Sequence, residues 1–219
     1  MSSKIENIVI GVVGPVGAGK TELTERLGEL LGAETHLERP SKNPFIGQYY
    51  ADIESKNLPS PVAFQSQVSF LLASVDQARM IENDRAQGVV WDVPPVGDKM
   101  YPTLAYESGI MSENDYGLYC QLYEVLVASF SQPDVLAVVT ADIDTIVERI
   151  RQRGRPMELK TPQSYWESQI VYWNDQLEQD NGQTMVKLDS GEIDWSKDGD
   201  GMEQVWTAVQ AMLGTISSN

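Results

Sequence analysis

The chain has 219 residues, with 32 Asp and Glu against 16 Lys and Arg and a formal net charge of −16. That balance excludes a binder of the nucleic-acid backbone, which shows a basic face, and at 42% hydrophobic and 22% charged residues the chain is too apolar and too mixed to stay unfolded. One Cys, Cys120, makes no internal disulfide, no basic and apolar leader opens the chain, and the apolar runs fall short of a bilayer span, so a cytoplasmic protein without membrane or nucleic-acid partners is expected.

No repeat or Gly/Ser-rich linker divides the sequence, and a single domain over residues 1–219 is expected. Its first element is a β-branched run, Ile8 to Val13, that meets Gly14. A helix follows over about Lys20 to Leu31, where Leu23, Leu27, Leu30 and Leu31 recur at helical spacing. Between them Gly14, Pro15, Val16, Gly17, Ala18, Gly19, Lys20 and Thr21 fit the phosphate-loop pattern, in the strand-to-helix context it requires. The glycines turn consecutive backbone N–H groups toward phosphate oxygens at the positive end of a helix. Lys20 adds a point charge between the β- and γ-phosphates, and the Thr21 hydroxyl is a magnesium ligand. Nucleotide binding is expected here, although the loop by itself does not name the reaction.

Glu34 to Leu37 is a short β-like segment, from whose end Glu38 could project toward the phosphate loop; by pattern alone it reads more readily as a solvated loop carboxylate. Ser60 and Pro61 cap and start a helix that runs to about Glu82. On it, Gln67 follows Phe64 by three residues and precedes Phe70 and Leu71 by three and four, which sets an amide in an apolar face. Such an amide bonds core groups or water, or reads the edge of a nucleobase.

Val89 to Asp92 and Val135 to Thr140 are continuous apolar runs, as strands covered on both faces of a parallel sheet should be, and Thr184 to Leu188 is a fourth strand. Asp92 ends its strand where phosphate-loop enzymes direct a carboxylate toward magnesium. The helix from Glu113 to Phe130 carries Tyr116, Tyr119, Tyr123, Leu126 and Phe130, and beside them Leu118, Leu122 and Val125. Burial against two core neighbours is the preferred reading of that girth, and a dimer interface is the alternative.

Asp142 caps a helix over Ile143 to Arg151. Arg149, Arg151, Arg153 and Arg155 place half of the chain's eight arginines within seven residues. Beside a phosphate loop they read as a phosphate clamp, an arginine-rich lid over about 149–160, rather than a solvated basic helix end. Trp166, Ile170, Trp173 and Leu177 form a helix core stripe, while His36 and a small, buried Cys120 read as structural. Strands separated by long helical segments predict an α/β fold, a parallel sheet with helices on both faces and ligands at the carboxyl ends of the strands. Residues 140–160 hold five Lys and Arg against four Asp and Glu, which leaves −17 on the rest. An acidic chain of this kind must grip a nucleotide by close contacts and magnesium, since its overall field repels the ligand.

Taken together, several segments resemble the deoxyribonucleoside kinases, a family with the P-loop kinase fold. Glu38-Arg39-Pro40-Ser41-Lys42-Asn43-Pro44-Phe45-Ile46, with Tyr49-Tyr50-Ala51-Asp52, is similar to that family's carboxylate, Asn-Pro and Phe-Tyr-x-Asp signature, in particular to a bacterial subset. Phe64 to Leu71 resembles its base-reading helix, Arg149 to Glu158 its lid, and Leu188 to Trp195 the segment after its last strand. The resemblance spans about residues 6 to 213 and implies phosphorylation of a deoxynucleoside 5′-hydroxyl by ATP with Mg2+ in a homodimer. It implies Glu38 as general base, with Lys20, Arg149 and Arg153 completing catalysis. Gly14, Val16, Gly17, Ala18, Gly19, Thr21 and Arg155 join them around the nucleotide, and Thr21 and Asp92 take the metal. Tyr50 and Glu158 would hold the 3′-hydroxyl, Gln67 the base edge and Tyr101 the base face.

Two positions depart from the family. Val93 and Pro94 follow Asp92 where relatives carry Arg and Ser, and whether Arg39 or Lys99 supplies the missing charge is left open. Ser74 stands where many relatives carry an arginine that helps select the base, so base preference is left open. A monophosphate kinase of the thymidylate kinase type and a nucleotide-binding partner subunit that has lost catalysis are the alternatives.

Overall fold

The computed structural model describes residues 6–179, 182–196 and 199–216. Five strands, β1 (Val9–Val13), β2 (Glu34–His36), β3 (Val89–Asp92), β4 (Val135–Thr140) and β5 (Met185–Asp189), pair in parallel in the order β2, β3, β1, β4, β5. Every residue of β1, β3 and β4 is buried, which is why these central strands read as unbroken apolar runs. After β1 the chain builds β2 and β3 on one side and then crosses to β4 and β5 on the other. That reversal opens a crevice at the carboxyl edge of the sheet.

Helices cover both faces. α1 (Lys20–Leu31) and α9 (Met202–Ile216) lie on one, where Leu23, Leu27 and Leu31 are fully buried with Ile10, Val12, Val205 and Val209. Each such side chain contributes roughly 1.5–3 kcal/mol by leaving water. On the other face α4 (Pro95–Asp98), α5 (Met100–Glu107) and α8 (Gln163–Glu178) surround a core that includes Val13, Met100, Leu104, Leu136, Val138 and Trp173. α2 (Ile46–Ser55), α3 (Ala63–Asp84), α6 (Glu113–Val127) and α7 (Ile143–Arg153) complete the order. No described helix is long and apolar enough to cross a membrane.

Several sequence expectations shift. α3 begins at Ala63 and continues to Asp84. The Ser60 hydroxyl does not cap it: it donates to Asp52 at 2.7 Å and accepts the Val62 N–H at 3.3 Å, closing the turn ahead of the helix. α7 is capped by Asp142 as expected, its carboxylate accepting the Thr145 N–H at 2.8 Å, but runs on to Arg153 because Gly154, at φ 67°, supplies the left-handed C-cap. Arg149, Arg151 and Arg153 are therefore helical, and only residues after 153 form the lid loop. β1 and β5 each start one residue later than expected.

The reading of the 113–130 helix as buried against two neighbours holds for its tyrosine stripe and is corrected for Leu118 and Val125. α6 ends at Val127 and packs on α3, with Tyr119 and Val127 buried against Leu71 and Val75, and on α5, where the Tyr116 ring stacks on Tyr106 at 4.7 Å. Leu118 and Val125 of the second stripe are 47% and 73% exposed, since no second described layer covers that face. Cys120 on this helix is half-buried instead of buried. His36 closes the sheet edge by pairing with Asp84 of α3 at 3.2 Å.

Candidate active site

The crevice is a cavity of about 800 Å3, walled by the segments that leave β1, β2 and β5, by α3, and by the lid. At its floor the phosphate loop adopts the backbone that its glycines allow. Gly14 sits at φ 143°, and a Cβ there would lie 2.2 Å from the Val139 carbonyl oxygen. Gly19 sits at φ 102°, facing the Trp195 ring, and caps α1. The Lys20 ammonium, 9% exposed, folds back on the Pro15 carbonyl at 2.9 Å. Arg149 ties the loop to the chain after β5, donating to the Ala18 carbonyl at 3.0 Å and to the Ser190 hydroxyl at 2.7 Å.

Three charged groups, Glu38, Lys20 and Asp92, lie close enough to act on one another. Glu38 reaches the cavity from the end of β2, and burial followed by the Asp92 charge pushes its carboxyl up to about 7 against the pull of Lys20 and Arg155. Burial likewise lowers Lys20, opposed by Asp92 and Glu38, and raises Asp92, opposed by Lys20 and the Thr21 hydrogen bond. A half-buried carboxyl poised near neutrality is suited to take a proton. Asp92 Oδ2 accepts the Thr21 hydroxyl at 2.7 Å, while Oδ1 is buried with no side-chain partner among the described residues. A carboxylate oxygen beside a hydroxyl is a donor set that suits Mg2+.

The lid folds over this centre through one carboxylate. Glu158, 3% exposed, accepts Arg153 on Oε2 at 2.6 Å and Arg155 on Oε1 at 3.3 Å. Charge-assisted pairs of this kind hold guanidinium groups in a fixed direction. Arg39 and Lys99 do not replace the arginine absent at Val93: Arg39 is exposed, Lys99 lies 5.7 Å over the Tyr123 ring, and neither lines the cavity. The cations that act on Glu38 are Lys20 and Arg155. Val93 itself takes φ 55°, a strained conformation for a β-branched residue, directly after Asp92.

Beyond Glu38 the cavity becomes aromatic. Tyr49, Tyr50, Tyr101, Tyr165 and Phe70 line it, and the Tyr50 and Tyr165 rings meet edge to face at 6.2 Å. Burial raises Tyr50 and Tyr101 well above the ordinary phenol range and pushes Tyr165 up to about 12, so all three are neutral hydroxyls. Gln67 is 3% exposed on this wall, and its amide makes no hydrogen bond to another described residue. Deeper, Ser74 donates to Asp98, whose carboxyl burial and then Glu38 hold well above the usual range. Ser74 is thus committed to a buried neighbour.

Thirteen residues expected from the sequence line this one cavity, namely Val16, Gly17, Gly19, Lys20, Thr21, Glu38, Tyr50, Gln67, Tyr101, Arg149, Arg153, Arg155 and Glu158. Gly14, Ala18 and Asp92 stand behind its wall, where Asp92 acts through Thr21. The sequence reading passed over Ile46, Tyr49, Met157 and Tyr165, and gave no role to Ile193, Asp194, Trp195 and Ser196, which close the cavity opposite the loop. Tyr165 is adjacent to the Trp166 stripe, and that proximity was the available sign.

A family model described as Deoxynucleoside kinase matches residues 10–214. The chain is 31% identical over 211 residues to the deoxyadenosine/deoxycytidine kinase of Bacillus subtilis, covering 95% of this chain and 94% of that one. It is 30% identical to the deoxyadenosine kinase of Dictyostelium discoideum over 70% of this chain and 60% of the relative. Its fold matches that of a deoxyadenosine kinase from M. mycoides with bound dATP, at a TM-score of 0.74 and 23% identity over 96% of this chain and 99% of that chain.

Proposed function

The chain belongs to the deoxynucleoside kinase family, and on that footing we propose that Glu38 deprotonates the 5′-hydroxyl of a deoxyribonucleoside for transfer of the γ-phosphoryl group of ATP. The observation that carries this reading is the Glu38 carboxyl lining the same cavity as the phosphate loop and Lys20, where burial and then Asp92 push it up to about 7. The 5′-oxygen attacks the γ-phosphorus as its proton passes to Glu38, the bond to the β,γ-bridging oxygen breaks, and ADP leaves with that oxygen. Lys20 and the lid arginines offset charge on the equatorial oxygens. Thr21 and Asp92 would hold Mg2+, which would supply charge neutralisation for the phosphates.

At the other end Tyr50 and Glu158 hold the 3′-hydroxyl, Tyr101 packs on the base, and the free Gln67 amide reads its edge. Lys20 and Arg155 stand in for the arginine that relatives carry after Asp92. The exposed Leu118 and Val125 of α6, with Leu72 of α3, form the contact of a homodimer. The single, unpaired Cys120 fits a cytoplasmic enzyme.

Incubating the protein with ATP, Mg2+ and a panel of nucleosides and nucleoside monophosphates, while following ADP release, tests the reading. Turnover on deoxynucleosides is expected; turnover on monophosphates alone overturns it.

A further inference from the structure

Gln169 of α8 is fully buried, and its Oε1 accepts the Val16 N–H at 2.9 Å. Because the loop offers a donor, the amide orientation is settled by its partner. The Nε2 of the same amide is buried with no hydrogen-bond partner among the described residues. A buried unpaired donor destabilises a fold, so an apolar side chain of similar volume would relieve that half of the site. Local rules fail in this way where a position serves function rather than stability.

What the amide holds is the first turn of the phosphate loop. Lys20 takes the Pro15 carbonyl, Arg149 the Ala18 carbonyl, and Gln169 the Val16 N–H, so the loop is anchored by three elements. Tyr165 and Trp166 precede Gln169 by four and three residues and share its helix face. The Tyr165 hydroxyl meets that of Tyr49 at 3.3 Å, and the Trp166 ring lies 6.2 Å from Tyr50. One face of α8 therefore touches both the phosphate loop and the aromatic end of the cavity.

We propose that Gln169 is a positioning residue that keeps the phosphate loop in register with the nucleoside end of the cavity, so that filling one end changes affinity at the other. The inference rests on the kinase reading above. Held this way, the γ-phosphorus meets the 5′-oxygen without a search, and small displacements of either partner are costly to the rate.

Two variants test it. Gln169→Met removes the acceptor at nearly constant volume, while Gln169→Glu keeps an oxygen there, because burial raises a carboxyl pKa and leaves a neutral acid. Mg-ATP affinity is titrated by tryptophan fluorescence, Trp195 standing against Gly19, with and without a 5′-deoxynucleoside analogue that cannot accept phosphate. Steady-state constants and the melting midpoint are measured on the same proteins.

Gln169→Met is expected to bind Mg-ATP roughly tenfold more weakly, while its affinity for the analogue in the absence of ATP stays within about twofold of the wild type. It should also lose the effect of the analogue on ATP affinity, and Gln169→Glu should recover both. Wild-type affinity in Gln169→Met, or no effect of the analogue in the wild type, overturns the proposal. Equal loss in both variants with a lowered midpoint assigns Gln169 to packing and overturns it as well. If the wild type binds Mg-ATP but phosphorylates no nucleoside, the kinase reading falls, and the affinity of Gln169→Met still decides whether the anchor exists.

Discussion

Replacing Glu38 with Gln should abolish most turnover and yet stabilise the fold above neutral pH. The folded carboxyl titrates near 7 instead of 4.5, raised first by burial and then by Asp92. Between those values the folded protein keeps a proton that the unfolded chain has lost, so wild-type stability falls as pH rises from 4.5 to about 7. Above that window the desolvated carboxylate destabilises the fold by at most about 3–4 kcal/mol, from 7 − 4.5 = 2.5 at about 1.36 kcal/mol per pKa unit. Partial exposure of Glu38 lowers the figure.

A neutral amide removes that penalty. At roughly 2–4 °C per kcal/mol for a chain of this size, the Glu38→Gln melting midpoint should rise by about 4–10 °C at pH 8. At pH 5 the gain should shrink below about 1 kcal/mol, because the wild-type carboxyl is protonated in the folded state. Turnover should fall by roughly 10²–10⁴, the range of a lost general base. Wild-type kcat/KM should drop about 30-fold from its plateau to pH 5.5, following the ionised fraction of a group near 7. Calorimetry at the two pH values and coupled ADP release are the assays. Unchanged turnover, or no rise in midpoint at pH 8, would refute the role of a desolvated base.

Asp92→Asn should raise the magnesium concentration needed for half-maximal rate and cut kcat by about 100-fold, since the carboxylate that holds Thr21 also carries the oxygen without a side-chain partner; a magnesium titration of initial rates checks this. Glu158→Gln should free Arg153 and Arg155 and raise the nucleoside KM about tenfold, with little change for 3′-deoxynucleosides, and parallel losses on both substrates would remove Glu158 from the sugar. Val125→Lys on the exposed face of α6 should halve the mass seen by light scattering while leaving circular dichroism unchanged, and a wild-type monomer refutes that interface.

The fold was legible where the chemistry is local. Val89 to Asp92 and Val135 to Thr140 appear as strands at the bounds their apolar runs indicate, and α1 runs from Lys20 to Leu31 as its leucines require. The exposure of Leu118 and Val125 on α6 was not legible because an apolar side chain at helical spacing has the same pattern whether it is covered or left at the surface. Arg39 and Lys99 were poor substitutes for the missing arginine because proximity in sequence to Glu38 or Val93 does not direct a side chain into the cavity; Arg155, over a hundred residues from Glu38, acts on it instead.

Contiguous residues thus determined the phosphate loop, the strand that precedes it and the helix whose dipole it uses, since those contacts close within one turn of chain. The sheet alone brought the remaining groups together. Asp92 meets Thr21 across 71 positions, and Gln169 meets Val16 across 153. The Glu38 proton affinity is likewise a tertiary property, because it depends on how much water the fold excludes and on which charges it leaves nearby.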